Sequence, residues 1–289
     1  MRVIHVDTGR EMRGGQWQAL RLHGGLIAAG IDSMLLAKAG CPLAGQAARA
    51  GLPWMALSPL RLATLARRAD LVHAHDARAH TLAAALARCA IVVARRVAFP
   101  IGQGWLSRWK YRRASRYLAV SRHVALQLAD GGVDESRIDV VYDGVPVPDH
   151  EAAGDRILTP WSEDPGKCMS LAAEAARMAG VALAASRDLE ADLPTAGALV
   201  YLSTAEGLGS GILLAMAHGV PCVASRVGGI PELIEHGVTG LLTDNNPEAI
   251  AAALSKVDRR MGVAARLSVM NRFSIRHMGA ATLESYGRV

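Results

Sequence analysis

The sequence predicts an α/β protein built from two Rossmann-like domains facing each other across a cleft. Three observations carry that reading. Short β-branched runs alternate with longer helical stretches, the pattern of βαβ units and parallel sheets. Composition breaks once, near the middle of the 289 residues. Hydrophobic residues make up 51% and charged residues 20%, so each half can bury its own core and neither reads as disordered.

VIHV (3–6) reads as a first strand, leading through the loop GREMRGG into a helix over 16–29, where Trp17, Leu20, Leu22 and Leu26 form a helical stripe. SMLLA (33–37), LVHAH (71–75), AIVVA (90–94) and RYLAVS (116–121) read as further strands separated by alanine-rich helices. In VDESRIDVVYDGV (133–145) a turn precedes a strand that stops at Asp143-Gly144. PVPDHEAAGD (146–155) has no periodicity and reads as an interdomain linker, giving domains 1–150 and 151–289. Beyond it ILTP, VALAA, ALVYLS, CVAS and GLLT read as strands. CMSLAAEAARMAG, GILLAMAHG and PEAIAAALSKV read as helices, the last opening on Pro247. Only RDLEADLPTAG separates VALAAS from ALVYLS, which predicts a shortened C-terminal domain.

Composition narrows the function classes. No apolar run reaches the roughly 18 residues a membrane-spanning helix needs. The N-terminus reads as a strand rather than a signal peptide. Cys41, Cys89, Cys168 and Cys222 form neither a C-x-x-C pair nor a zinc spacing, which fits a reduced, cytoplasmic chain. Residues 1–150 carry 20 Lys/Arg against 11 Asp/Glu, and residues 151–289 carry 12 against 15. The basic half implies either an anionic partner, such as a membrane surface, or simply a basic solvated surface.

Several clusters carry candidate chemistry. A strand runs into Glu206-Gly207-Leu208-Gly209-Ser210-Gly211 and then a helix. Backbone N–H groups at a helix start, opened by glycines, suit a phosphate, and a carboxylate beside them suits sugar hydroxyls. The same residues also suit a tight turn with a capping acid. Gly14 and Gly15 lie in the first strand-to-helix loop, but no G-x-G-x-x-G follows the first strand, which disfavours a dinucleotide oxidoreductase. Pro165-Gly166-Lys167-Cys168 is no P-loop, because Trp161 and Cys168 stand where glycine and Ser/Thr belong. His73 and His75 share one strand face, but the offsets for a hydrolase cluster hold Ala77 and Arg78, so no metal is expected. His75 and Asp76 read instead as a strand end entering an acceptor site. The stretch 95–116 mixes cations with Phe99, Trp105, Trp109 and Tyr111, which reads either as a membrane-interface segment or as a solvated helix with one packed aromatic face. No DNA-binding frame accompanies it, so nucleic acid is not an expected partner.

Taken together, these residues resemble the family-4 glycosyltransferases of GT-B fold. RGGQWQALRLHGGLIAAGIDSMLL, DLVHAHD and YLAVSRHVALQLADGGVDESRIDVVYDGV are similar to the family's N-terminal elements. LVYLSTAEGLGSGILLAMAHGVPCVASRVGGIPELIEHGVTGLLTDNNPEAIAAAL holds its E-G-x-G loop, G-x-P strand and G-G-x-P-E turn in order, and FSIRHMGAATLESYGRV is similar to the last helix, which crosses back to the N-terminal domain. The resemblance implies retaining transfer from a nucleotide-diphosphate sugar, used as co-substrate without a cofactor or essential metal, to a glycan or lipid-linked acceptor. The basic N-terminal half favours a transferase working on an envelope glycolipid or polysaccharide precursor, peripheral at the inner face of a membrane.

By the same resemblance Glu206 and Lys167 are the catalytic candidates. Gly14, Gly15, Gly207, Leu208, Gly209, Ser210 and position 214 belong to donor binding. On the acceptor side, His75 is read from its place at a strand end, and Arg95 and Arg96 from their capacity to face acceptor phosphates. The chain departs from the pattern at Leu214, which stands where a second glutamate grips the ribose, so the apolar character of the surrounding helix is read as loss of that anchor. It departs again at Thr159-Pro160-Trp161, where the family has arginine, and at Arg95-Arg96, where it has histidine. These departures leave a second class open: a non-catalytic nucleotide- or sugar-binding partner protein. An epimerase on the same architecture would need further acids and histidines.

Overall fold

Short β-branched runs followed by helices can pair only in parallel, because each return crosses over the sheet. The computed structural model describes residues 1–102 and 104–289. Within it, β1 (Arg2–Val6), α1 (Gly14–Ala28), β2 (Asp32–Ala37), α2 (Pro42–Arg49), β3 (Trp54–Ala56), α3 (Pro59–Ala66), β4 (Leu71–Ala74), α4 (Ala77–Leu86), β5 (Ala90–Arg95), α5 (Trp105–Arg113), β6 (Arg116–Ala119), α6 (Arg122–Asp130) and β7 (Ile138–Val140) follow in order. They form a parallel seven-stranded sheet, β3-β2-β1-β4-β5-β6-β7. Next come β8 (Arg156–Pro160), α7 (Met169–Met178), β9 (Leu183–Ser186), α8 (Leu189–Asp192), β10 (Ala196–Tyr201), α9 (Ser210–Ala217), β11 (Cys222–Ser225), β12 (Gly240–Thr243), α10 (Pro247–Leu254), α11 (Arg259–Arg272) and α12 (Ile275–Tyr286). The second sheet is also parallel, five-stranded, β12-β11-β10-β8-β9. Strand order reverses at β1/β4 in the first sheet and at β8/β10 in the second. Ligands of doubly wound sheets collect beyond the strand ends at such points.

The chain divides into two compact units, Met1–Gly144 with Ile275–Val289, and Val145–Ser274. The division falls at Gly144/Val145 rather than at 150, and the physical reason is hydrogen bonding. Val145 is fully buried and its N–H donates to the Phe273 carbonyl at 3.0 Å. The acidic, Pro-containing stretch 146–155 is no free linker either. The Ala152 N–H donates to His218 O at 2.8 Å, and Arg259 reaches the Ala152 carbonyl at 2.6 Å.

In the first unit Leu22 and Leu26 of α1 pack with Val3, Leu71, Val92, Leu118, and with Met278 and Tyr286 of α12. The contact between α1 and α12 is close enough that a Cβ at Gly25 would lie 2.9 Å from Ile275 Cγ2. In the second unit Val200, Val223 and Ile250 pack with Ala172 and Ala175 of α7. Helix α9 is apolar all round because it is enclosed: Ile212, Leu213, Ala215, Met216 and Ala217 are fully buried. That corrects the reading of its apolarity as loss of a polar anchor. Leu214 is the residue of its central turns that is partly exposed.

Candidate functional site

The polar groups at the strand ends fall into two sets, one in each unit. In the second unit the loop after β10 carries Glu206, and the turn Pro165–Lys167 after β8 carries Lys167. Three loops are tied together there. Thr204 N–H donates to Gly166 O at 2.9 Å, Gly229 N–H donates to Glu206 O at 3.1 Å, and Ser203 N–H donates to Ser225 Oγ at 2.9 Å. Asn245 Nδ2 closes the set on Ser203 O at 2.9 Å. Gly228 has φ +56, and a Cβ there would lie 1.9 Å from the Glu206 carbonyl oxygen. The G-G-x-P-E turn therefore needs glycine so that it can back the Glu206 loop. Gly209, at φ +111, opens α9 in a conformation L side chains rarely adopt.

Lys167 Nζ lies 2.6 Å from Glu206 Oε2, and the two side chains are 32% and 17% exposed. Tyr201, the last residue of β10, donates from its hydroxyl to the same oxygen at 2.9 Å. Burial, and then the Glu206 charge, hold the Tyr201 phenol well above its ordinary range, so it remains a donor. Gly207 N–H lies 3.2 Å from Oε1. Gly207, Leu208 and Gly209 are buried behind the carboxylate, and Ser210 opens α9 beside them. Among the predicted residues, the fold brings together Lys167, Glu206 and the loop 207–210. Leu214 lies on α9, one turn further along. Sequence reasoning missed Tyr201. The one signal available was a polar aromatic closing a strand whose interior is Ala198, Leu199 and Val200.

In the first unit the predicted acceptor-side residues lie deeper. His75 is 6% exposed, and Arg96 lies beside it with Nη1 3.2 Å from His75 Nδ1. Arg96 Nε donates to buried Asp143 at 3.0 Å. Arg95 turns instead to the Phe99 carbonyl. Gly14 and Gly15 form the first turn of α1, and a Cβ at Gly15 would meet open space, so internal packing does not require glycine there. Asp7 and Asp76 anchor the loop before α1: Gly9 N–H donates to Asp7 at 2.7 Å and Thr8 Oγ1 donates to Asp76 at 2.8 Å.

His5 joins the predicted pair because β1 and β4 pair in register, His5 opposite His73. Ligand atoms of His5, His73 and His75 lie within 4.8 Å of one another, the spacing of a metal set. Burial holds all three well below the ordinary histidine range, so they are neutral. Hydrogen bonding then fixes the tautomers. Arginine only donates, so His75 Nδ1 accepts from Arg96, and the His75 proton sits on Nε2. That proton is donated to His5 Nδ1 at 2.8 Å, which leaves the His5 proton on Nε2. Neither ring keeps a lone pair for a cation. His73 Nδ1 pairs with the Tyr286 hydroxyl of α12 at 2.6 Å. The cluster is an internal relay, Asp143–Arg96–His75–His5, and its donor set does not suit a metal.

Helix α5 stands apart from both sets. It has no buried residue, and Trp105 is 75% exposed, with Leu106 at 50% and Phe99 before it at 65%. Tyr111 alone of its aromatics stacks inward, on Tyr117 with ring centroids 5.5 Å apart. This differs from a packed aromatic face. Gln103, within the same stretch, lies outside the described residues. Among the described residues no helix is long and apolar enough to cross a membrane.

The Glycosyltransferase Family 4 model matches residues 12–147 and the model for group 1 glycosyl transferases matches residues 161–258. The chain belongs to the family-4 glycosyltransferases, with GT-B fold. It is 42% identical over 82 residues to the N-acetyl-alpha-D-glucosaminyl L-malate synthase of Bacillus anthracis, covering 26% of this chain and 22% of that protein. A GDP-mannose-dependent mannosyltransferase of Mycobacterium tuberculosis, acting on phosphatidylinositol monomannoside, is 43% identical over 68 residues, covering 21% of this chain and 18% of its own. These matches thus span less than a quarter of either relative. Among solved structures, Anabaena HepE in complex with UDP and glucose superposes with a TM-score of 0.86 at 16% identity, covering 100% of both chains. A Rickettsia africae glycosyltransferase superposes at 0.79 with 18% identity, over 99% of this chain and 97% of that one. At these identities the likeness is one of fold.

Proposed function

We propose that the protein transfers a sugar from a nucleotide-diphosphate donor, bound by Val145–Ser274, to a glycan or lipid-linked acceptor of the cell envelope, with retention and without an essential metal. The observation that carries this reading is the Lys167–Glu206 pair, partly exposed at the reversal point of the second sheet beside a glycine-opened helix start. Lys167 and the N–H groups at 209 and 210 would stabilise charge developing on the departing diphosphate. Glu206 would accept hydrogen bonds from the donor sugar. The UDP and glucose held by the Anabaena structure support a nucleotide sugar as the donor class.

The acceptor half supports work at an anionic membrane surface on the cytoplasmic side. Between Ala77 and Ala129 the chain has ten Lys/Arg and no Asp/Glu. Exposed Phe99, Trp105 and Leu106 stand among those cations. His75 and Arg96 would then shape the acceptor side through Asp143 rather than by direct contact.

Leu214 favours a second reading, a binding protein without turnover, since it offers the ribose no acceptor. A thermal-shift screen against UDP-, GDP-, ADP- and CMP-sugars and the free diphosphates tests the first reading. A ligand at a hundred times its Kd adds about 2.7 kcal/mol to the native state. Stabilisation by one nucleotide family is the expected result, and no stabilisation by any of them contradicts it.

A further inference from the structure

We propose that Tyr201 is a positioning residue for Glu206, holding the carboxylate toward the donor sugar when Lys167 turns to the diphosphate. The proposal rests on the donor reading above and adds a residue outside the E-G-x-G, G-x-P and G-G-x-P-E motifs.

Two independent features of the chain point to it. The first is the shared oxygen: Tyr201 and Lys167 both donate to Glu206 Oε2, at 2.9 and 2.6 Å. A lysine that pairs with a carboxylate and also serves a diphosphate must loosen its grip on the first when the second arrives. A neutral phenol has no such competing attraction, so it is the donor that stays. Its ring also lies under the ammonium, with Lys167 Nζ 5.5 Å from the ring centroid.

The second feature is Gly211. It lies in the first turn of α9 without the left-handed backbone that calls for glycine. A Cβ there would lie 2.9 Å from Tyr201 Cε2 and 3.2 Å from Leu189 Cδ1. Any larger residue at 211 would push the ring, and with it the hydroxyl, off Glu206. Glycine at 211 thus leaves the space in which this phenol reaches the carboxylate. A ring needed only for packing would not require its hydroxyl to meet an acidic side chain five positions on. Oε1, close to Gly207 N–H, keeps acceptor capacity for sugar hydroxyls.

The test compares wild type with Tyr201→Phe, which keeps the ring and removes the hydroxyl, and with Gly211→Ala, which keeps the hydroxyl and displaces the ring. Dissociation constants are measured for UDP, UDP-glucose, GDP and GDP-mannose, with the melting of each unliganded variant as a folding control. In wild type the sugar nucleotide of one pair binds more tightly than its bare diphosphate. In Tyr201→Phe that advantage disappears: the sugar nucleotide weakens about tenfold and the diphosphate is unchanged. Gly211→Ala shows the same split, and carries the test if Tyr201→Phe does not fold. Where turnover is measurable, the KM for the sugar nucleotide rises while the KM for acceptor does not. Unchanged constants for both ligands in both variants, or equal weakening of diphosphate and sugar nucleotide, would overturn the role of Tyr201 and leave the donor reading standing. A wild type that binds none of these four, nor any other nucleotide or nucleotide sugar of the thermal screen, overturns both.

Discussion

The two units place their strand-end polar groups at different depths. In Met1–Gly144 with Ile275–Val289, His5, His73, His75, Arg96 and Asp143 are drawn into the interior and largely satisfy one another. In Val145–Ser274 the core is apolar, and Lys167, Tyr201 and Glu206 meet at its rim, partly exposed. Both arrangements contain ion pairs and short hydrogen bonds, yet they differ in what they leave over. The first spends most of its donors and acceptors internally, although His5 Nε2 and His73 Nε2 are buried without a hydrogen-bond partner. The second keeps carboxylate lone pairs and an ammonium within reach of solvent, and so has chemistry to offer a ligand. A perturbed, titratable cluster is therefore a weaker sign of a binding site here than a half-exposed pair.

The largest expected effect comes from the rim. Glu206→Gln keeps the shape and removes the charge, and transfer should fall at least about 100-fold while the melting temperature holds. Transfer assays with the donor found in the screen would check this, and full activity would break the comparison. Next comes stability. Arg96→Ala strands Asp143 and His75 in the interior and should cost about 3–5 kcal/mol. Lys167→Ala removes a pair of comparable geometry at the rim and should cost less than about 1 kcal/mol. Urea unfolding of the two variants gives the ratio directly, and equal losses would erase the distinction between the units.

Acid should sharpen the same contrast. His23 and His80 are lowered to about 4, chiefly by burial, and His5, His73 and His75 lie well below their ordinary range for the same reason. Each is neutral when folded and takes a proton once unfolded. Their contribution is therefore complete above about pH 6.5 and is lost as the pH falls below it, by up to about 1.4 kcal/mol per pH unit for each histidine until its folded value is reached. Unfolding free energies at pH 7, 6 and 5 should fall steeply, and less steeply in His23→Gln. A flat profile would mean these histidines are not held neutral. The smallest effect is a gain. Leu214→Glu, on the partly exposed face of α9, should leave stability within about 1 kcal/mol and tighten nucleotide binding about tenfold. Titration calorimetry would measure it.

Much of this was legible in the sequence, and the limits have physical causes. β-branched runs located most strands, since period and composition are local properties. β3, only three residues long, gives no such signal. The glycines at 207, 209, 228 and 229 marked the second-unit loops because tight backbone approach restricts residue choice locally. His5 was invisible as a cluster member because its meeting with His73 depends on β1–β4 register across many residues. The boundary at 150 followed composition, whereas the observed one follows backbone hydrogen bonds from Val145 and Ala152. Tyr201 escaped because its meaning depends on the direction of Glu206 and on the space left by Gly211.

The central claim is that the donor is gripped at the rim of Val145–Ser274. Hydrogen-exchange mass spectrometry of the whole chain, with and without the saturating sugar nucleotide chosen by the thermal screen, tests it most directly. The strongest added protection is expected at residues 165–168 and 203–211, with little change at 71–75. Protection absent from both loops, with the ligand demonstrably bound, would contradict it.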